Sequence, residues 1–390
     1  MNKQFIRRFS LLLSLLLMLT AFPAVSLAES APAQDPSPAI YVYQKTASSV
    51  VGVITQEQTW IPEYNRIHES TVSMGSGVVL REGGYILTNS HVIESGSTFQ
   101  ILMPSGEKAP AELVGADSST DIAVLKITDE AAIAQLTPVE TGASSDLLVG
   151  STVIAIGNPG GETLANTVTQ GVVSALERNS VSASRTSREI SYIQHDAAIN
   201  SGNSGGGLFD YRGRLVGINT LKYSGSVYSA VSFEGLGFAI PIETALDISS
   251  DLIEYGKVRR ASMGINVSEY LNGPEEPMRS VAPSGVYVTG VIEDTPAASA
   301  DFKAYDYIYS IDGERILSYS QMATFMDRYE EGDTITVELV RYEQITPATS
   351  SINSLYDSFF SANTQASTTL VVSGGYETVT TEVTLAYLDN

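Results

Sequence analysis

From Val50 to Ile240 the chain keeps setting down a few apolar, largely β-branched residues and then breaking off at Gly, Asn or a charged residue. Val50-Val51-Gly52-Val53-Ile54, Tyr85-Ile86-Leu87, Ile122-Ala123-Val124-Leu125, Val153-Ile154-Ala155-Ile156 and Leu215-Val216-Gly217-Ile218 all have this form. Runs this short suit strands, and stiff β-branched side chains pack well on a pleated surface, so the pattern predicts a barrel or sandwich. A helical period is confined to the stretch after Pro241, where Ile242, Ala245, Leu246, Leu252 and Ile253 share a face until Gly256 ends the run. A second β-rich region begins near Met263, with Val379 to Leu388 as its last strand. A chain of 390 residues exceeds what one core supports, so at least two domains are expected. The boundaries are read at 46–257 and 258–390, across the basic hinge Lys257-Val258-Arg259-Arg260. Residues 346–375, rich in Ser, Thr and Ala with few charges, read as a mobile insertion in the second domain.

Composition removes several classes of function. The chain has 44 acidic against 22 basic residues and a net charge of −22, so nucleic acid would repel it. The absence of cysteine excludes disulfides, thiol catalysis and thiolate zinc sites, and three scattered histidines lack the usual zinc spacing. No metal and no cofactor is expected. At the N-terminus, Lys3, Arg7 and Arg8 precede an apolar run from Phe9 to Phe22, then Pro23 and the small-residue exit Ser26-Leu27-Ala28. This describes a secretory signal peptide over 1–28, with an uncleaved membrane anchor as the alternative. An exported chain without disulfides points to a bacterial envelope or exterior. Residues 29–45 read as a disordered leader.

The densest chemical signal is Asn200-Ser201-Gly202-Asn203-Ser204-Gly205-Gly206-Gly207. Glycines around one serine cost backbone entropy, and a nucleophile gives them a reason: the chain must turn tightly while amide N–H groups converge on a developing oxyanion. A serine hydroxyl needs a base. His91 follows the strand Tyr85-Ile86-Leu87 and can be aimed by the loop after it. His68 reads as a solvated loop residue and His195 as structural or surface. Asp121, directly before Ile122-Ala123-Val124-Leu125, is the candidate to orient the base, while Asp117 reads as a solvated turn residue. The order His91, Asp121, Ser204 is the order of chymotrypsin-type proteases.

Three segments carry a closer resemblance. Thr88-Asn89-Ser90-His91-Val92, Asp121-Ile122-Ala123-Val124-Leu125-Lys126 and Gly202-Asn203-Ser204-Gly205-Gly206 resemble the catalytic motifs of the HtrA/Deg family of envelope serine proteases. Ile156-Gly157-Asn158-Pro159-Gly160, Asp196-Ala197-Ala198-Ile199-Asn200 and Gly237-Phe238-Ala239-Ile240-Pro241 are similar to that family too, so the likeness covers residues 47 to about 245. Gly207 stands where the family usually has Pro, and His195 where it usually has Thr. The resemblance implies a mainly β fold: a chymotrypsin-like double β-barrel, with His91, Asp121 and Ser204 in the cleft and a PDZ-like domain following. It also implies an oxyanion hole from the backbone of Gly202 and Ser204, joined by Asn203. Ala198 occupies the pocket-floor position that is acidic in proteases cutting after Lys or Arg, so Ala198 and Ile199 imply small or medium aliphatic residues at the cleaved position.

Residues 262–390 resemble the PDZ domain of that family more loosely. Met263, Gly264 and Ile265 fall at its carboxylate-binding loop, while Asp301 and Tyr305 stand where it generally has Gly. The resemblance implies C-terminal peptides at the groove, unfolded or misfolded proteins as substrates, and a homotrimer. Ile40-Tyr41-Val42-Tyr43 is a candidate trimer contact or, alternatively, a strand on its own barrel. The implied function is an ATP-independent endopeptidase that degrades damaged exported proteins, with loops inside 157–169, 192–203 and 221–235 as switching elements. The rival reading is a catalytically silent binding scaffold or chaperone using the same cleft and groove; the intact triad motifs and glycine-rich turn argue against it.

Overall fold

The apolar runs of residues 50–241 become two closed antiparallel barrels of six strands each. The first contains β1 (Val50–Ile61), β2 (Arg66–Arg81), β3 (Tyr85–Thr88), β4 (Thr98–Leu102), β5 (Lys108–Asp117) and β6 (Ile122–Ile127), in the order β1-β2-β3-β6-β5-β4. The second contains β7 (Thr152–Gly157), β8 (Thr167–Asn179), β9 (Ser191–His195), β10 (Gly207–Asp210), β11 (Leu215–Thr220) and β12 (Gly237–Pro241), in the order β10-β11-β12-β9-β8-β7. This is a computed structural model, and it describes residues 37–62, 66–159, 164–179, 190–220, 235–270, 283–347 and 370–388. The signal-peptide segment and residues 29–36 of the leader lie outside the described residues.

One apolar cluster joins the barrels: Val78, Leu87 and Val124 of the first pack with Ile154, Ile156, Phe209 and Ile240 of the second. Each such side chain contributes about 1.5–3 kcal/mol when fully buried, so the seam is a core in its own right. The helix Ile242–Tyr255 closes over the barrels, burying Ile242, Ala245 and Leu252. It ends as its sequence suggests, with Gly256 in the left-handed region and its N–H returned to Leu252 O.

The leader gives way earlier than expected. Pro38–Thr46 is a helix rather than disordered chain or a strand. Proline suits a first helical position, and Thr46 Oγ1 donates to Val42 O at 2.8 Å. Val42 is fully buried in the shared core, while Ile40, Tyr41 and Tyr43 face outward. Lys45 fastens the end of the helix by donating to Glu140 at 2.7 Å and to Arg212 O at 2.9 Å.

The last region is a PDZ fold. β14 (Ile265–Tyr270), β15 (Gly285–Val291), β16 (Tyr307–Ile311), β18 (Thr334–Pro347) and β19 (Leu370–Thr384) form one sheet in that order, with β17 (Glu314–Arg315) on β16. β13 (Ala261–Ser262) pairs with β20 (Ala386–Tyr387), and the helix Tyr319–Met326 packs Met322, Phe325 and Met326 into the core. The flanks of the expected insertion are strand: β18 and β19 stay paired, with one shift of register between Tyr342 and Gln344, as far as Pro347 opposite Leu370. Residues 348–369 lie outside the described residues. Asp301 and Tyr305, where glycine was expected, keep the glycine conformation with φ of 42° and 70°. That conformation costs a side-chain-bearing residue about 1 kcal/mol. Arg341 offsets it at Asp301, donating to the Asp301 carbonyl at 2.7 Å and to its carboxylate at 3.2 Å.

Candidate active site

β3 ends at Thr88, and a short helix, Ser90–Ile93, carries His91 into the seam between the barrels. The loop after β5 delivers Asp121 to the same place. His91 Nδ1 lies 2.9 Å from both carboxylate oxygens of Asp121, and the His91 backbone N–H donates to Oδ1 at 3.0 Å. Thr220 Oγ1, from the end of β11, donates to Oδ2 at 3.0 Å. Asn89 Nδ2 and the Ser90 N–H both donate to the Asp121 carbonyl, at 2.9 and 3.2 Å. These bonds hold Asp121 at φ 60°, a left-handed conformation rare for a side-chain-bearing residue. The Asp121 side chain is 6% exposed and His91 24%, so the imidazole is open to the cleft while the carboxylate is not. Burial, reinforced by the negative charge of Asp121, pushes the neighbouring Tyr192 phenol up to about 12.

Ser204 sits on the turn before β10, 3% exposed. Its Oγ is buried and makes no hydrogen bond among the described residues. The His–Asp arm of the constellation is therefore closed and the Ser–His arm open. Hydrogen bonds of this kind are commonly long before substrate binds and tighten in the complex. Gly205 must be glycine: its φ is 83°, and a Cβ there would stand 2.1 Å from Ser76 O. Among the described residues the N–H groups of Gly202 and Ser204 make no hydrogen bond, whereas Asn203 donates its own to Asn200 O at 3.0 Å. Gly202 and Ser204 are thus the free donors at the turn, and Asn203 is not one.

Ala198 is exposed and Ile199 half-buried against the interior of the second barrel. Asp196 accepts the Val172 N–H at 2.6 Å, which occupies one oxygen of the nearest acid. His68 is exposed, as its polar surroundings suggest, and His195 is fully buried. Thr220 was missed in the sequence because it lies 99 residues from Asp121 at the end of an apolar strand. Asp117 is also unlike its sequence reading: it is buried and ion-paired to Arg260.

In the PDZ region, β14 is an edge strand facing the helix Tyr319–Met326. Between them lies a groove of about 330 Å³ that includes Met263, Ile265 and Met322 and reaches Arg260 and Asp117. Gly264 takes φ 86°, and its N–H donates to Ser262 Oγ at 3.1 Å.

The trypsin-like peptidase domain family matches residues 75–218, which contain His91, Asp121 and Ser204, and the PDZ domain family matches residues 261–351. The chain belongs to the HtrA family of serine proteases. It is 40% identical over 280 residues to the serine protease Do-like HtrA of Bacillus subtilis, covering 68% of this chain and 60% of the relative. It is 36% identical over 274 residues to the periplasmic serine endoprotease DegP of Escherichia coli, covering 69% of this chain and 55% of that one. The chain thus spans little more than half the length of these relatives. The HtrA-type protease AlgW with decapeptide superposes with a TM-score of 0.62 at 27% identity, over 90% of this chain and 99% of that one. The two-barrel and PDZ arrangement of this HtrA chain has the element order its sequence suggests.

Proposed function

We propose that this HtrA chain is a serine endopeptidase. Ser204 Oγ attacks the peptide carbonyl, His91 Nε2 takes the proton and later returns it to the leaving amine, and Asp121 holds the imidazole in the required tautomer and stabilises its cation. The free N–H groups of Gly202 and Ser204 receive the oxyanion of the tetrahedral intermediate. The observation that carries this reading is the closed His91–Asp121 pair beside a buried, unengaged Ser204 hydroxyl. Ala198, where proteases that cut after Lys or Arg carry an acid, favours small or medium aliphatic residues at the cleaved position.

The finer reading is an exported enzyme of the bacterial envelope that degrades unfolded or damaged proteins without ATP. The apolar signal-peptide segment and the DegP-like relatives support the location. The edge strand β14 and its groove fit C-terminal peptides, which would add a strand to the sheet. Outward-facing Ile40, Tyr41 and Tyr43 on the first helix supply a surface for a homotrimer. Of the three proposed switching loops, 192–203 is described throughout, 160–163 of the first lie outside the described residues, and so do 221–234 of the third.

The test uses a fluorophosphonate probe and reduced casein, with the protein and its Ser204→Ala variant side by side. Ser204-dependent labelling and casein fragments are expected. If neither occurs, even after heating or addition of C-terminal peptides, the endopeptidase reading fails and a binding scaffold takes its place.

A further inference from the structure

The nucleophile turn belongs to the second barrel, yet its backbone is held by a side chain of the first. Ser76 on β2 is fully buried. Its Oγ donates to Gly202 O at 2.6 Å and accepts the Asn158 N–H at 2.7 Å. Its backbone N–H donates to Ser204 O at 2.8 Å, and its carbonyl accepts from Thr88 Oγ1 at 2.7 Å, two residues before the helix that carries His91. The two carbonyls that bracket the nucleophile, those of Gly202 and Ser204, therefore both end on one residue.

We infer that Ser76 is a positioning residue for the oxyanion hole. A carbonyl fixes the plane of its peptide. With the Gly202 and Ser204 carbonyls turned toward Ser76, and Asn203 O taken by the Gly206 N–H at 2.9 Å, all three successive peptides of the turn are committed. The first of these, Gly202–Asn203, lies between the Ser201–Gly202 peptide, which carries the Gly202 N–H, and the Asn203–Ser204 peptide, which carries the Ser204 N–H, so fixing it sets the direction of both free donors. Oxyanion donors work because they are oriented before charge develops, and losing one costs about 10²- to 10³-fold in kcat. Removing the Ser76 hydroxyl deletes no donor, but it frees the Gly202–Asn203 peptide to rotate and leaves Gly202 O and the Asn158 N–H without their partner. The same hydroxyl ties the turn to the Asn158 end of β7, so it registers the turn against both barrels. Ser76 touches neither substrate nor the reacting atoms; it acts through the backbone of the turn.

This inference rests on the endopeptidase reading, and the experiment separates the two. The full chain, Ser76→Ala, Ser76→Cys and Ser204→Ala are compared on labelled reduced casein and with a peptide boronate ending in boro-valine, whose adduct carries a tetrahedral anion. Unfolding temperature is recorded for each. Ser76→Ala should lose about 10- to 100-fold in kcat with KM within about threefold, and the boronate should weaken in parallel with kcat. The pH profile of kcat/KM should not move, because His91 and Asp121 are untouched. Ser76→Cys fills the space with a poorer hydrogen-bonding group and should fall between. A KM effect with kcat unchanged, a shifted pH profile, or activity within twofold of the parent overturns the inference. If Ser76→Ala does not fold, Ser76→Cys decides by the same criteria. An inactive parent overturns the endopeptidase reading itself, and this inference with it; an active parent with an indifferent Ser76→Ala overturns the inference alone.

Discussion

Arg260 holds both carboxylate oxygens of Asp117, at 3.0 and 2.7 Å, across 143 residues of sequence. Arg260 immediately precedes β13 of the PDZ region, and Asp117 ends β5, four residues before Asp121. Thr120 and Ser119 also donate to the Asp117 carboxylate, so the loop that delivers Asp121 is wrapped around it. The basic stretch 257–260 is thus a fastening.

Arg260→Ala leaves that carboxylate enclosed without its cation. A fully buried pair broken in this way costs about 3–5 kcal/mol; here the guanidinium keeps some water contact, and about 2 kcal/mol is expected. Urea unfolding at pH 7 measures it, and a difference under about 0.5 kcal/mol refutes the fastening. Burial pushes the Asp117 carboxyl up, but the hydrogen bonds and charge of Arg260, with Thr120 and Ser119, outweigh this and hold it below its usual 3.8. A depressed acid contributes stability above its unfolded value and loses it as pH falls through the folded one. The gap between parent and variant should therefore persist through neutral pH and close as acid protonates Asp117, first in the variant, where burial is no longer opposed by Arg260, and last as pH falls through the parent's depressed value.

Thr220→Val removes one of the donors to the Asp121 carboxylate while keeping the side chain's shape. Hydrogen bonds to charged groups are worth about 1.5–3 kcal/mol, which converts to a loss of roughly 10- to 100-fold in kcat/KM if the bond orients Asp121 for His91. Casein cleavage kinetics and the rate of fluorophosphonate labelling should fall together. Unchanged labelling would show that the bonds from His91, Asn89 and Ser90 suffice to place Asp121.

What could be read from sequence were the features with local causes. Apolar runs gave strands because period and residue type both point to a pleated surface. The glycine-rich turn and the order of His91, Asp121 and Ser204 gave the candidate triad because the chemistry restricts the residue types. Ser76, Thr220 and Arg260 were illegible for one shared reason. Each acts on a partner 99 to 143 residues away, and neither a serine between glycines nor an arginine in a basic hinge announces such a partner. Asp117 failed from the opposite side: a polar loop suggests solvent, and only the distant arginine explains its burial. The first helix was missed because a Pro- and Ala-rich leader has little pattern, and the buried contact of Val42 becomes visible only with the core it enters.

His195 should make the fold sensitive to mild acid. Neither ring nitrogen makes a hydrogen bond among the described residues, and burial pushes the imidazole down to about 4 against the smaller opposing influence of Asn219, Asp196 and the Ala197 backbone. The unfolded chain takes up a proton near 6.5 that the folded one refuses until about 4. Stability is therefore complete above about pH 6.5 and falls as pH drops through that window, by about 3 kcal/mol in total. His195→Thr should remove most of that slope in urea titrations between pH 4 and 7. A parallel slope in the variant would place the acid sensitivity elsewhere.

The same ring explains why Gly237 must lack a side chain. A Cβ at 237 would lie 2.4 Å from His195 Cε1, and its three nearest neighbours would all be ring atoms. Gly237 and His195 are also directly paired between β12 and β9, so neither can shift without breaking the ladder. Gly237→Ala alone should cost about 1–3 kcal/mol, as overpacking in a filled interior does. In the His195→Thr background the obstructing ring is gone. The same alanine should then cost less than about 0.5 kcal/mol, since residues in direct contact are non-additive. Urea unfolding of the four proteins at pH 7 gives the coupling, expected at about 1 kcal/mol or more in favour of the double variant. Equal costs in both backgrounds would mean that the backbone of β12, and not the imidazole, sets the requirement for glycine.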